Sequence, residues 1–298
     1  MRLVITGREG QVARSIVERA AGSQFEIVPL GRPELDLAGD PAAIRAAIEA
    51  ARPDVLVSVA AYTQVDRAES EPEVAFAVNQ RGPRTIAQSA QRLAVPLIHL
   101  STDYVFDGGK LTPYVEEDPT GPTGVYGTSK LAGEQAVLAD HEKCTVLRTA
   151  WVYSPFGTNF VKTMLRLAED REEVNVVADQ RGNPTSALDI ADGILRVATN
   201  LLASGGPEQR GVFHMTGTGD ASWAEFAEAI FSASTEMGGP SARVRHIASA
   251  EFPTAAKRPA NSQLDSTKLA RVHGIRLPEW QSSLKGVVER LVQAREER

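Results

Sequence analysis

Four short apolar runs, each followed by a stretch of helical period, fill the first hundred residues and restrict the fold more than any other feature. They are Arg2-Leu3-Val4-Ile5-Thr6, Glu26-Ile27-Val28-Pro29-Leu30, Asp54-Val55-Leu56-Val57-Ser58-Val59-Ala60 and Pro96-Leu97-Ile98-His99-Leu100. Between them, helical patterns run through Ile16, Val17 and Ala20, from Ala42 to Ala51 behind an Asp40-Pro41 start, and from Asn79 to Leu93. A shorter helical stretch, Asp66 to Phe76, is interrupted at Glu71-Pro72. The third run is apolar nearly throughout, as a parallel strand covered on both faces must be. The β-α-β-α-β-α-β order implies the α/β class, with a doubly wound parallel sheet and right-handed crossovers. Such sheets bind ligands at the carboxyl ends of their strands.

The turn after the first run reads Gly7-x-x-Gly10-x-x-Ala13. Small residues there let the backbone approach a pyrophosphate at the positive end of the following helix, which marks a Rossmann-type dinucleotide fold. The motif alone is weak, because glycines also serve tight turns. After the second run many such folds carry an acid for the ribose hydroxyls, whereas this chain has Arg32. Arg32 suits a 2′-phosphate and leans the cofactor toward NADPH, with NADH left open, although a solvated loop arginine is about as common. Asp36 and Leu37 are placed to flank the adenine. Ala60, Ala61 and Tyr62 end the third strand with small residues against which a cofactor can lie.

The fourth run ends in Ser101-Thr102-Asp103, and Tyr126 and Lys130 follow at helical spacing. If Thr128 to Asp140 is helical, the two lie one turn apart and can serve one ligand. A free tyrosine titrates near 10, so it shuttles protons poorly at neutral pH unless a cation favours its phenolate. Lys130 is placed to supply that cation and to hold ribose hydroxyls, and Thr102 adds a hydroxyl for a substrate carbonyl. The chemistry is carbonyl reduction, with hydride from a nicotinamide and a proton from Tyr126. Chance alone gives this spacing in about one chain in nine of this composition. The weight therefore rests on its conjunction with Gly7, Gly10 and Thr102. His99 reads as a strand residue with a structural partner, Cys144 as core, and Trp151 equally as a ligand platform or a packing residue. The histidines show no zinc spacing.

The second half is less regular. Strands are expected at Cys144–Thr149, Val174–Ala178 and Val212–Thr216, with helices at Asn159–Ala168, Ala187–Leu202, Trp223–Phe231 behind a Ser222 cap, and Ser282–Arg295. Residues 107–124, crowded with Gly, Pro and charge, read as a loop and a candidate lid. Residues 1–150 are expected to form the NAD(P)-binding domain and 151–298 mostly a smaller α/β substrate-binding region, with 187–216 a candidate to return to the first domain. Composition sets outer limits. With 298 residues, 42% hydrophobic, and a net charge of −6, the chain has ample core and no general affinity for nucleic acid. A lone cysteine and no long apolar run lead us to expect a cytoplasmic protein without membrane association.

Several ordered motifs carry a resemblance to one family. Gly10-Gln11-Val12, Val65-Asp66-x-Ala68-Glu69, Ser101-Thr102-Asp103-Tyr104-Val105-Phe106-Asp107-Gly108, Val125-Tyr126-Gly127-x-Ser129-Lys130-Leu131-Ala132-Gly133-Glu134, Arg148-Thr149-Ala150-Trp151-Val152-Tyr153, Asn159-Phe160-x-x-Thr163-Met164 and Arg258-Pro259-x-Asn261-Ser262 span both halves. The chain resembles the dTDP-4-dehydrorhamnose reductase family of the extended short-chain dehydrogenase/reductase superfamily. That resemblance implies reduction of the 4-keto group of dTDP-4-dehydro-L-rhamnose. It implies Tyr126 as proton donor, Lys130 as cofactor and pKa partner, and Thr102 as the carbonyl-orienting hydroxyl. Asp103 and Trp151 are implied to contact the sugar nucleotide, and Arg258 its pyrophosphate. Gly10, Gln11, Val12, Ala60, Ala61 and Tyr62 are implied to line the cofactor. Some members dimerise through a metal held by acids; Ser15 and the Gln293 region offer no acidic pair, so no metal is expected, and the chain is expected as a monomer or homodimer. Rival readings are a dehydratase or epimerase of the superfamily, disfavoured because Thr102 is followed by Asp103-Tyr104 and not by two acids, and a non-catalytic regulatory subunit, disfavoured by the retained Tyr126, Lys130 and Thr102.

Overall fold

The computed structural model describes residues 1–203 and 206–296. Its first half alternates as the apolar runs require: β1 (Arg2–Thr6), α1 (Gln11–Arg19), β2 (Glu26–Leu30), α2 (Pro41–Ala51), β3 (Val55–Ser58), α3 (Val65–Ala68), α4 (Pro72–Phe76), α5 (Gly82–Leu93), β4 (Leu97–Thr102), α6 (Val125–Asp140) and β5 (Cys144–Thr149). A π-helical turn, Ala77–Arg81, joins α4 to α5. The second half adds β6 (Val152–Tyr153), α7 (Phe160–Leu167), β7 (Glu173–Val177), β8 (Arg181–Gly182), β9 (Thr185–Ser186), α8 (Ala187–Ala203), β10 (Gly211–His214), β11 (Ala221–Ser222), α9 (Trp223–Glu236), β12 (Arg243–Ile247), α10 (Thr267–His273) and α11 (Trp280–Glu296).

Six strands form one parallel sheet in the order β10-β5-β4-β3-β1-β2. Its Val, Ile and Leu side chains are buried on both faces, against α1 and α8 on one side and α2, α5 and α6 on the other. The chain leaves β1 toward β2 and later returns to β1's other side with β3, so a crevice opens between the carboxyl ends of β1 and β3. A second core joins α7, α9, α11, β7 and β12, with Tyr153, Phe226 and Trp280 buried in it. The Tyr153 hydroxyl donates to the Trp280 carbonyl at 3.0 Å.

Three departures from the expectations have a visible physical cause. Helix α6 starts at Val125, three residues early, because the carboxylate of Glu69 accepts from Val125 N at 2.8 Å, a cap supplied from 56 residues away. Strand β12 went unanticipated because Arg243, Arg245 and His246 are exposed on the two-stranded pair it forms with β7, so it lacks a clean apolar alternation. Loop 107–124 is tied down and not free-swinging. The Tyr114 hydroxyl donates to Asp107 at 2.7 Å and its ring stacks on Phe106. Gly121 N donates to Val105 O, the Asn261 side chain donates to Lys110 O and Thr112 O, and Glu116 accepts from His214 N. Its exposed tip lies around Leu111.

Candidate active site

The carboxyl end of β4 and the first turns of α6 meet. Thr102 ends β4 in extended backbone, its hydroxyl donating to Asp103 Oδ1 at 2.9 Å and accepting from Tyr104 N at 3.2 Å. Tyr126 and Lys130 lie one turn apart on α6. The close approach of α6 to this strand end requires Gly127, since a Cβ there would stand 2.2 Å from Tyr104 O. The Tyr126 ring meets Tyr104 edge to face, centroids 5.4 Å apart, and its hydroxyl contacts that of Thr102. Sequence-predicted Tyr126, Lys130, Thr102 and Asp103 are therefore one cluster.

Burial dominates the electrostatics. It pushes the Tyr126 phenol up to about 12, with the Thr102 contact opposing and Asp103 adding. The Lys130 ammonium is lowered to about 8 by the same cause, with Glu134 opposing. The Asp103 carboxyl is raised to about 6, held partly back by the hydroxyls of Thr102 and Ser262. Burial outweighs the other influences on Tyr126, and the Lys130 Nζ donates to the Leu100 carbonyl at 2.7 Å.

At the β1–β3 crevice, Gly7 adopts φ +99°, open to glycine alone without strain, and its N–H donates to Leu30 O at 2.6 Å. Thr6 Oγ1 accepts from Val59 N and Ala60 N, fixing the shelf that continues through Ala61 and Tyr62. Asn79, fully buried in the π-turn, clamps Tyr62 through both its N–H and C=O and donates to Ser129 on α6. Helix α1 begins at Gly10 with no side-chain cap, and the space where a Gly10 side chain would stand is open. These features fit a dinucleotide pyrophosphate. Arg32 is exposed and makes no hydrogen bond or ion pair among the described residues, while Arg8, from the glycine turn, pairs with Glu34 at 2.7 Å.

Four residues expected at the cofactor, Val12, Leu37, Gln11 and Asp36, already have partners within the protein. Val12 and Leu37 are buried in the core, where Leu37 packs against the backbone at Gly82. The Gln11 amide is engaged internally, accepting from Ser154 at 2.8 Å and Asn159 at 2.9 Å. Asp36, exposed, closes a turn through Ala38 N.

On the far wall, Trp151 takes a left-handed backbone, φ +46°, rare for a bulky residue and a mark of functional sites. Its indole stacks on Trp223 with centroids 3.6 Å apart, so packing occupies one ring face. Arg258 forks onto Asp66, with nitrogen–oxygen distances of 2.7 and 3.2 Å, and also reaches the Tyr104 hydroxyl. Sequence reasoning gave no role to Asp66, Glu69, Tyr104 or Asn79. The motif around Asp66 and Glu69 was visible, but its partners lie 192 and 56 residues away. Among the described residues no group of three His, Cys, Asp or Glu is arranged to hold a metal ion, and no helix is long and apolar enough to cross a membrane.

The family model described as "RmlD substrate binding domain" matches residues 1–293. The chain belongs to the dTDP-4-dehydrorhamnose reductase family. A protein of that name from Sinorhizobium fredii is 52% identical over 97% of each chain. The crystal structure of a dTDP-4-dehydrorhamnose reductase from Clostridium acetobutylicum superposes with a TM-score of 0.91 at 36% identity, covering 98% of this chain and 99% of that one. The Bacillus anthracis protein of that name, solved in complex with NADP, gives 0.88 at 36% identity over 96% and 98%. The resemblance read from the ordered motifs is thus borne out along nearly the whole chain, as are the α/β class and the parallel sheet.

Proposed function

We propose that this chain reduces the 4-keto group of dTDP-4-dehydro-L-rhamnose to give dTDP-L-rhamnose, using NADPH and accommodating NADH. The observation that carries the reading is the convergence of Tyr126, Thr102 and Lys130 at one strand end, beside a glycine turn and an uncapped helix start suited to a dinucleotide. When bound, the reduced nicotinamide supplies a hydride, which forms the new C–H bond at the carbonyl carbon and carries the electron pair.

The protein's own groups handle the oxygen. Tyr126, kept protonated by burial, is an acid ready to give its proton to the oxygen as negative charge develops there. Thr102 presents a second hydroxyl that orients the carbonyl. Lys130 uses one of its three donors on Leu100 O, which leaves two for ribose hydroxyls and a cation beside the phenolate once the proton has left. The open space at Gly10 and the α1 N-terminus suit the pyrophosphate, with Gly7, Ala60, Ala61 and Tyr62 beside it and the main chains of Gln11 and Val12 available. Asp36 and the main chain at Leu37 would border the adenine. Asp103 and Trp151 would meet the sugar nucleotide, and Arg258 its pyrophosphate by exchanging Asp66 for phosphate oxygens.

We assign cofactor binding to residues 1–150, and substrate binding mostly to 151–298; the pairing of β10 with β5 supports counting 187–216 with the first unit. A cytoplasmic setting fits a nucleotide-sugar substrate and a nicotinamide cofactor. The test is consumption of reduced nicotinamide, which should occur with dTDP-4-dehydro-L-rhamnose and not without it; no consumption with that sugar nucleotide overturns the reading. For the cofactor, Arg32→Ala should weaken NADPH binding about tenfold, roughly the worth of one exposed charge-assisted contact, and leave NADH binding unchanged. Equal losses for both would remove Arg32 from the 2′-phosphate site.

A further inference from the structure

Beneath the site lies an ion pair that the reaction does not use directly. Glu134 follows Lys130 by one helical turn on the same face of α6, and both are buried. Arg148, mid-sheet on β5, forks onto the Glu134 carboxylate: Nε lies 3.0 and 3.2 Å from its two oxygens and Nη2 lies 2.7 Å from Oε2. The two side chains are 5% and 2% exposed, so water screens neither. A buried pair of this kind contributes little net stability, because losing hydration offsets the attraction, and an apolar pair of similar volume is often as stable. Its presence one turn below a buried lysine ammonium calls for another explanation.

We propose that the Glu134–Arg148 pair is a positioning device for Lys130, in which Glu134 places its carboxylate one turn from the buried ammonium and Arg148 fixes that carboxylate in place. Among the described residues Lys130 has one hydrogen bond, to Leu100 O, and no carboxylate touches it directly. The carboxylate that favours its proton is that of Glu134. Of the other titratable groups nearby, three are neutral and Asp103 lies at the strand end. His99 on β4 is held neutral by burial, with Nδ1 against Ser58 Oγ at 3.1 Å. His214 on β10, next to Arg148, is lowered to about 3 by burial and by that guanidinium. Tyr126 on α6 is a neutral phenol, and Asp103, at the strand end, is engaged by Thr102. Glu134 therefore opposes the effect of burial and favours the charged form of Lys130. The consequence for catalysis rests on the function proposed above, but the effect on Lys130 itself does not.

The experiment separates the two. In protein without cofactor, labelled at the lysine side chains, the Lys130 signal is assigned by its loss in Lys130→Met and titrated by NMR. Glu134→Gln should move the Lys130 midpoint down by about one unit or more, and the alkaline limb of kcat/KM should move with it. Because Glu134→Gln strands Arg148 and can impair folding, the double variant Glu134→Gln/Arg148→Met is measured in parallel. It removes both charges, so it should fold like the parent and still show the lowered Lys130 midpoint. A parent-like midpoint in the folded double variant, or in Glu134→Gln, overturns the proposal and leaves the pair a packing element. A lowered midpoint without any reductase activity would uphold the proposal for Lys130 while defeating the assigned reaction.

Discussion

Tyr126→Phe should lower kcat by about 10² or more while NADPH binding stays within about twofold of the parent. The substitution deletes one oxygen and keeps the ring, so the edge-to-face contact with Tyr104 survives and α6 is not disturbed. What is lost is the only phenol at the strand end whose hydroxyl reaches Thr102 among the described residues. Tyr104 does not substitute for it, because burial and neighbouring Asp103 push its phenol still higher and its hydroxyl is turned to Arg258. The measurement is steady-state kinetics beside cofactor titration by fluorescence. Parental turnover in Tyr126→Phe would assign the proton to another donor.

Asp103→Asn should stabilise the free protein at neutral pH and cost activity. The Asp103 carboxyl is 2% exposed and its folded pKa is raised to about 6 from an ordinary 3.8. A raised acid binds more protons in the folded state than in the unfolded one, so stability declines as pH climbs from the unfolded pKa through the folded one. Below about pH 4 the penalty is absent, and above about pH 6 it is complete, on the order of 2–3 kcal/mol at about 1.4 kcal/mol per unit. Replacing the carboxyl by a neutral amide removes the ionisation penalty and keeps an oxygen to accept from Thr102. Thermal unfolding at pH 7.5 should then show a melting temperature roughly 5 °C higher, and near pH 4 the two proteins should coincide. Equal melting temperatures at pH 7.5 would show that Asp103 is not strained by ionisation. A residue that destabilises the fold where it stands is the pattern expected of a ligand-binding group.

The large sheet was legible because its strands announce themselves locally. Each run is continuous, apolar and closed by a turn or a helix start, and burial on both faces demands that composition. The Tyr126–Lys130 pair was legible for a related reason, since helical spacing alone puts both on one face. The unread parts depend on partners distant in sequence. Glu69 as the cap of α6 and Asp66 as the partner of Arg258 are long-range contacts whose members look like ordinary surface charges in sequence. Arg148 did carry a local signal: a charge in the middle of Cys144-Thr145-Val146-Leu147-Arg148-Thr149 has to be neutralised inside the protein. Val12 and Leu37 are turned inward by the same apolar character that closes the core.

Three of the passes that the chain makes between the large sheet and the second core, at Trp151, at Thr185 and at Gly217, run side by side, with Thr185 N donating to Trp151 O at 3.2 Å and Gly217 N donating to Thr185 Oγ1 at 3.1 Å. Mechanically this is a ribbon, not a tether. A ribbon of hydrogen-bonded passes resists twist and in-plane shear, and yields most readily to flexing across its thin dimension. A movement of one core against the other has to bend these hydrogen-bonded passes together and not any one of them alone.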